Sequence, residues 1–174
     1  MPRFQPEEMI RVLGRHRVDY VLIGGLAATL HGSPLRTGDA DICPDSNREN
    51  LERLAAALVE MEARISAPDA AGGLAFACDA KFLEGVTLLN LITKYGDLDI
   101  SFEPAGTLGY AELRAQSVQY DLEGLTVPVA ALGDIIRSKE AAGRAKDRAA
   151  LPTLRALLEQ ASASSKSGSE PEPD

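Results

Sequence analysis

Cysteine and histidine are scarce: the 174 residues hold two of each. Cys43 and Cys78 stand apart, with no CxxC pair and no histidine close by, which excludes a disulfide framework and a thiolate zinc site. No run of about eighteen apolar residues occurs, so no membrane-spanning helix is expected. The opening MPRFQPEEMIRV has neither the apolar stretch nor the small-residue cleavage site of a secretory leader, and predicts a cytoplasmic protein. Positive charge is also short. Eighteen Lys and Arg against 26 Asp and Glu leave a formal net charge of −8, which argues against a chain that coats nucleic acid by bulk attraction. A local basic concentration survives between 137 and 148, where Arg137, Lys139, Arg144, Lys146 and Arg148 stand against Glu140 and Asp147. The sequence has no internal repeat, no GxxxxGK[ST] and no GxGxxG.

With 45% hydrophobic residues, a chain of this length buries one core, so a single domain is expected over 1–161. The segment from Ser162, SASSKSGSEPEPD, is nearly devoid of apolar side chains and predicts a disordered acidic tail over 162–174. Period and punctuation give the rest. Helices are expected over 5–16, 26–31, 48–64, 109–116, 131–142 and 146–160, the last with Pro152 within a turn of its start or at a kink. Ser46 or Asn47 caps the third helix, whose stripe is Leu51, Leu54, Leu58 and Met61. Strands are expected over 18–23, 39–43, 86–93, 97–102, 118–122 and 125–129, with hairpins across "KYG" and Glu123-Gly124. Residues 66–80 read as a loop. The order of elements indicates an α+β or mixed α/β domain.

The chemistry concentrates in VLIGGLAATLHGSPLRTGDADI, residues 21–42. On a strand, residues two apart share a face, so Asp39 and Asp41 project together while Ala40 and Ile42 enter the core. Two such carboxylates repel unless a cation lies between them, and oxygen ligands without Cys or His suit Mg²⁺ or Mn²⁺. The plainer reading has both as surface turn residues pairing with Arg36. Ahead of them, Gly24-Gly25 follows a buried strand and precedes a helix, where backbone N–H groups can cradle phosphate. Together the cradle and the paired acids outline one site for a nucleoside triphosphate and its metal.

This stretch resembles the signature of the nucleotidyltransferase superfamily: a hydrophobic residue, Gly-[Gly/Ser], a spacer, then Asp-hydrophobic-[Asp/Glu]-hydrophobic. With KYGDLDISFEPAGTLGY and SKEAAGRAKDRAALPTL it is similar to the minimal bacterial group that includes AbiEii-like and MenT-like toxins, over roughly residues 18–158. The resemblance implies a DNA polymerase beta-like nucleotidyltransferase fold, a small mixed sheet flanked by helices with a C-terminal helical pair. It implies that Gly24 and Gly25 hold the triphosphate and that Asp39 and Asp41 bind the metal. A third carboxylate comes from Asp97 or Asp99, with Asp99 preferred, and orients or deprotonates the acceptor hydroxyl. Lys139 and the Arg144, Lys146, Asp147 group match the C-terminal motif, the cations on triphosphate oxygens and Lys139 and Asp147 in catalysis. Arg36 and Thr37 lie at the cleft mouth, Arg36 placed to touch phosphate or acceptor. Arg137 and Arg148 read as a solvated helix face, His31 as a helix-terminal hydrogen-bonding residue, and Tyr95 and Tyr110 as packing residues or base-stacking platforms. The implied reaction moves NMP from an NTP to a hydroxyl with release of pyrophosphate. The implied setting is a toxin that modifies the 3′ end of tRNA and blocks translation, partnered by a cognate antitoxin. The competing readings are transfer to an aminoglycoside-like small molecule or a protein hydroxyl, and a non-catalytic nucleotide-binding descendant.

Overall fold

The chain opens with α1 (Pro6–Arg15). Pro6 occupies a first-turn position where an N–H would have no helical partner, and Glu7 and Glu8 sit at the positive end of the helix dipole. Its buried stripe is Met9, Ile10, Val12 and Leu13. The computed structural model describes residues 3–167. After α1 come β1 (Tyr20–Ile23), α2 (Gly24–Leu30), β2 (Asp39–Pro44), α3 (Arg48–Glu60), β3 (Arg64–Ala67), β4 (Ala70–Leu74) and α4 (Ala80–Glu84). The second half holds β5 (Leu88–Thr93), β6 (Gly96–Ser101), α5 (Tyr110–Gln116), β7 (Val118–Leu122), β8 (Leu125–Val129), α6 (Leu132–Ala142) and α7 (Ala145–Ser167).

The strands form one mixed sheet in the order β4-β3-β5-β6-β2-β1-β8-β7. β2 lies at its centre, antiparallel to β1 and parallel to β6. Ala40, Ile42, Leu98 and Ile100 are 3% exposed or less. Each large apolar side chain so withdrawn contributes about 1.5–3 kcal/mol, and the alternation leaves the aspartates of both strands on the opposite face. α3 buries Leu51, Leu54 and Leu58 and is capped by Asn47, whose side chain accepts from the Asn50 N–H. Asn50 itself is fully buried and ties the fold together: its Nδ2 donates to the carbonyls of Asp19 and Asp45, and its Oδ1 accepts from the Asp19 N–H. α1 packs on α3, α3 on α4, α2 on α6 and α6 on α7.

The expected mixed α/β architecture with a C-terminal helical pair is the one observed, and both hairpins form. Glu123 and Gly124 have φ of 52° and 83°, the left-handed pair of a type I′ turn. Three expectations need correction. Residues 66–80 are not one loop: they complete the β3–β4 hairpin at the sheet edge, and only 75–79 run irregularly into α4, capped by Asp79. Arg64 stabilises that hairpin by donating from Nε to the Gly72 carbonyl at 2.7 Å and from Nη2 to the Gly73 carbonyl at 3.0 Å. α2 begins at Gly24 itself rather than at Leu26. α7 runs on to Ser167, so residues 162–167 are helical, and the remainder of the expected tail lies outside the described residues. Pro152 sits well inside α7, where it leaves one backbone carbonyl without its helical donor.

Candidate active site

The sheet register assembles the acids. Asp41 is opposite Asp99 and Asp39 opposite Asp97 across the parallel β2–β6 pair, and strands in a sheet lie about 4.8 Å apart. All four carboxylates therefore share one face. Asp97 is exposed, whereas Asp39, Asp41 and Asp99 are partly buried. On the next strand Asn90 is opposite Asp99 and donates a side-chain hydrogen bond to it. Thr37 Oγ1 donates to Asp39 Oδ1 at 2.7 Å, which fixes that carboxylate where pairing with Arg36 was the plainer expectation.

Both glycines are sterically required. Gly24 has φ of +68°, and a Cβ there would lie 2.2 Å from Asp41 Oδ2. A Cβ on Gly25 would meet Thr37 Oγ1 at 2.7 Å. The turn thus lies directly against Asp41 and against Thr37, the residue that holds Asp39. Burial, then Asp39 and Asp99, push the Asp41 carboxyl up to about 7, against the pull of Lys139 and Lys146. Burial also raises Asp99, partly offset by the Asn90 hydrogen bond. These are carboxylates short of positive charge, since Asp41 receives no hydrogen bond or ion pair from the described residues.

Cations approach from the C-terminal helices. Asp147 is fully buried and binds Arg144 Nε at 2.6 Å and Lys139 Nζ at 3.3 Å. Burial pushes its carboxyl up, but the bonds from Arg144 and Lys139 prevail and hold it below the ordinary value. Fully buried, Asp147 holds the two cations in place. Lys146 is exposed, and Arg36 is exposed on the loop before β2.

Two cavities meet here. The larger, about 560 Å³, is walled by Thr87, Asn90, Asp99, Glu103, Thr107 and Asp134 among others. The smaller, about 460 Å³, is walled by Gly25, Arg36, Thr37, Asp39 and Lys146 among others. Gly24, Asp41, Lys139, Arg144 belong to both. The structure thus brings together Gly24, Gly25, Arg36, Thr37, Asp39, Asp41, Asp99, Lys139, Arg144 and Lys146, with Asp147 behind them. Asp97 lines neither cavity.

Several outlying residues do different work from that expected. Arg137, expected on a solvated face, donates to the Gly106 carbonyl at 2.8 Å and pairs with Glu112 at 2.8 Å and Asp134 at 3.2 Å. It pins the 103–109 loop that walls the larger cavity. Arg148 donates to the Gly143 carbonyl. His31 is the helix-terminal hydrogen-bonding residue expected: Nε2 donates to the Ala130 carbonyl at 2.8 Å and Nδ1 meets the Tyr120 hydroxyl at 3.1 Å. Tyr110 lines a separate cavity with Tyr20 and Arg114, and Tyr95 packs against the core, so neither tyrosine stacks at this site. Asn90, Glu103 and Asp134 were missed in the sequence. Asn90 alone left a signal, as the polar residue opposite Asp99 in a recognisable hairpin.

The donor set fits a hard divalent cation. Asp39 and Asp41 offer carboxylate oxygens, with no thiol or imidazole in the group. Among the described residues no three His, Cys, Asp or Glu side chains close into a ready-made metal cage. Asp99 shares the face, opposite Asp41 on the neighbouring strand. One or two carboxylates, with phosphate oxygens and water for the rest, is the arrangement Mg²⁺ prefers.

No protein-family model matches the sequence, and no curated protein matches it. Solved structures do resemble it. The lincomycin-bound lincosamide antibiotic adenylyltransferase LnuA superposes with a TM-score of 0.58 at 15% identity, over 89% of this chain and 99% of that one. ANT(2″)-Ia in complex with adenylyl-2″-tobramycin gives 0.55 at 14% identity, over 88% and 87%. A candidate nucleotidyltransferase from Thermotoga maritima gives 0.54 at 18% identity, over 91% and 97%. Likeness at this level establishes the fold: the chain has the nucleotidyltransferase fold.

Proposed function

We propose that this chain is a metal-dependent nucleotidyltransferase that moves NMP from an NTP to a hydroxyl of a small acceptor and releases pyrophosphate. The observation that carries the reading is the convergence of two cavities on Asp41, one bearing the glycine turn and most of the cations, the other bearing Asp99. In this reading the smaller cavity takes the triphosphate. Arg36, Lys139, Arg144 and Lys146 neutralise its charge, and the Gly24-Gly25 turn lets backbone approach it. Asp39 and Asp41 hold Mg²⁺ or Mn²⁺, which when bound offsets phosphate charge and polarises the reacting phosphoryl group. Thr37 orients Asp39, and Asp147 orients Lys139 and Arg144. The acceptor lies in the larger cavity with its hydroxyl at Asp99. Its oxygen forms a bond to the α-phosphorus, and the bond from that phosphorus to the bridging oxygen breaks. Pyrophosphate leaves with the electron pair, and the hydroxyl proton passes to Asp99, whose carboxylate burial has made more basic. Most of the rate would come from alignment and charge neutralisation.

A tRNA acceptor and an antitoxin partner were expected from the resemblance and from the basic stretch 137–148. In the fold most of those cations are engaged: Arg137 with Glu112 and Asp134, Lys139 and Arg144 with Asp147. Those that line the site, Lys139, Arg144 and Lys146, do so at the cavity assigned to the triphosphate, so the proposal takes a small acceptor and keeps tRNA as an arm of its test. Each α-labelled NTP in turn, with Mg²⁺, is incubated with total bacterial tRNA or with a panel of hydroxylated small molecules. The reading predicts label on an acceptor with stoichiometric pyrophosphate, reduced about a hundredfold or more in Asp41→Asn. Transfer by Asp41→Asn at the wild-type rate would contradict it.

A further inference from the structure

The charges of the larger cavity are one-sided. Its cations are Lys139 and Arg144, both shared with the smaller cavity and both bonded to Asp147. The charged groups it adds beyond that shared wall are Asp99, Glu103, Asp134 and Asp147, the last already bonded to Lys139 and Arg144. Glu103 is exposed and has no hydrogen-bond or ion-pair partner among the described residues. Asp134 is nine-tenths buried. Its Oδ1 faces Arg137 at 3.2 Å, while its Oδ2 has no hydrogen-bond partner. A buried carboxylate oxygen left without a donor is destabilising, and a bound donor would offset that cost. Arg137 does not line the cavity and is already divided among Glu112, Asp134 and Gly106.

The remaining wall mixes hydroxyls with apolar surface, Thr87, Thr107 and Ser138 beside Leu113 and Ile135. The loop that begins at Glu103 is fixed in place. Thr107 Oγ1 donates to the Pro104 carbonyl at 2.8 Å, and Arg137 holds Gly106. A Cβ on Gly106 would meet Ala141 Cβ at 2.8 Å, so the loop packs tightly on α6. Glu103 is therefore presented on a rigid support and not on a freely moving strand of chain.

We infer that the larger cavity selects an acceptor carrying a protonated amine, an amino-alcohol or aminosugar, with its ammonium group held by Glu103 and Asp134 and its reacting hydroxyl at Asp99. This rests on the nucleotidyl-transfer reading above. The unpartnered Glu103 carboxylate and the Asp134 oxygen that lacks a donor attract an ammonium and oppose a phosphate-bearing acceptor, whose approach would set like charges together. The hydroxyl and apolar wall suits a polyol ring.

The test is acceptor kinetics by pyrophosphate release with Mg²⁺ and each NTP. The probes are tobramycin, lincomycin, spectinomycin and glucosamine, N-acetylated tobramycin and N-acetylglucosamine, glucose, and total tRNA. The expected result is turnover with at least one amine, no turnover with its acetylated form where one is tested, and a KM for that amine raised at least tenfold in Glu103→Gln with kcat within threefold. Glu103 is exposed, so this variant is expected to fold. Turnover with glucose or tRNA that is indifferent to Glu103→Gln overturns the inference, and so does turnover with none of the probes. In that last case Mg²⁺-dependent NTP binding, measured in parallel, separates the two failures. Binding that depends on Asp41 leaves the transferase reading standing, and absent binding removes both.

Discussion

At Gly24 one methyl group would disturb both backbone and site. The residue combines φ of +68° with a Cβ position 2.2 Å from Asp41 Oδ2, and Asp41 cannot withdraw without leaving its place among the acids. Gly24→Ala is expected to lower stability by about 1–3 kcal/mol, seen as a lower thermal midpoint. Nucleotidyl transfer should fall further than that loss of stability explains. The Gly-Gly turn and the paired acids were legible in the sequence because strand alternation and turn chemistry are local rules. The reason for the glycines was not, since it depends on Asp41 and Thr37 folding back onto the turn. Asp147 shows the same boundary. Its match to the family's C-terminal motif marked an acid among cations, but its full burial and its bonds to both Lys139 and Arg144 emerge only in the fold.

Among the elements, the 103–109 loop and α6 form one wall through Arg137. Removing that guanidinium frees the Gly106 carbonyl and leaves Asp134 and Glu112 without their common partner. Arg137→Ala is expected to cost about 1–3 kcal/mol and to speed amide hydrogen exchange in residues 103–109 above other surface loops. Unchanged exchange there would mean that Thr107 and the packing of Gly106 hold the loop by themselves. Most elements announced themselves by period: α1, α3 and the two hairpins have regular apolar spacing and turn residues. The β3–β4 hairpin did not. Its strand β4 is Ala-Ala-Gly-Gly-Leu, with little side chain to show alternation, and it is held by pairing to its neighbour and by the Arg64 bonds to Gly72 and Gly73. Those are contacts between segments, which a local reading does not see.

For the whole molecule, the gathering of acids on one sheet face gives stability a pH dependence. Asp41 is raised from an ordinary value of 3.8 to about 7, and Asp99 moves in the same direction. Between those values the folded chain binds more protons than the unfolded one, so the contribution of Asp41 is fully present below about 4 and is lost as pH rises through about 7. In EDTA, the thermal midpoint should therefore decline from pH 5 to pH 8, and Asp41→Asn should flatten the decline and be the more stable protein at pH 8. A wild-type midpoint that rises over that interval would show that Asp41 is already compensated by Lys139 and Lys146. On the proposed reading, the same shortage of positive charge couples the binding of the cation to that of the triphosphate.

Equilibrium binding of each NTP, with and without Mg²⁺, to wild type and Asp41→Asn tests that coupling at its source. Saturable binding of at least one NTP is expected, requiring Mg²⁺ and weakening at least tenfold, about 1.4 kcal/mol, in the variant. No binding by any NTP, or binding indifferent to both Mg²⁺ and Asp41, would contradict it.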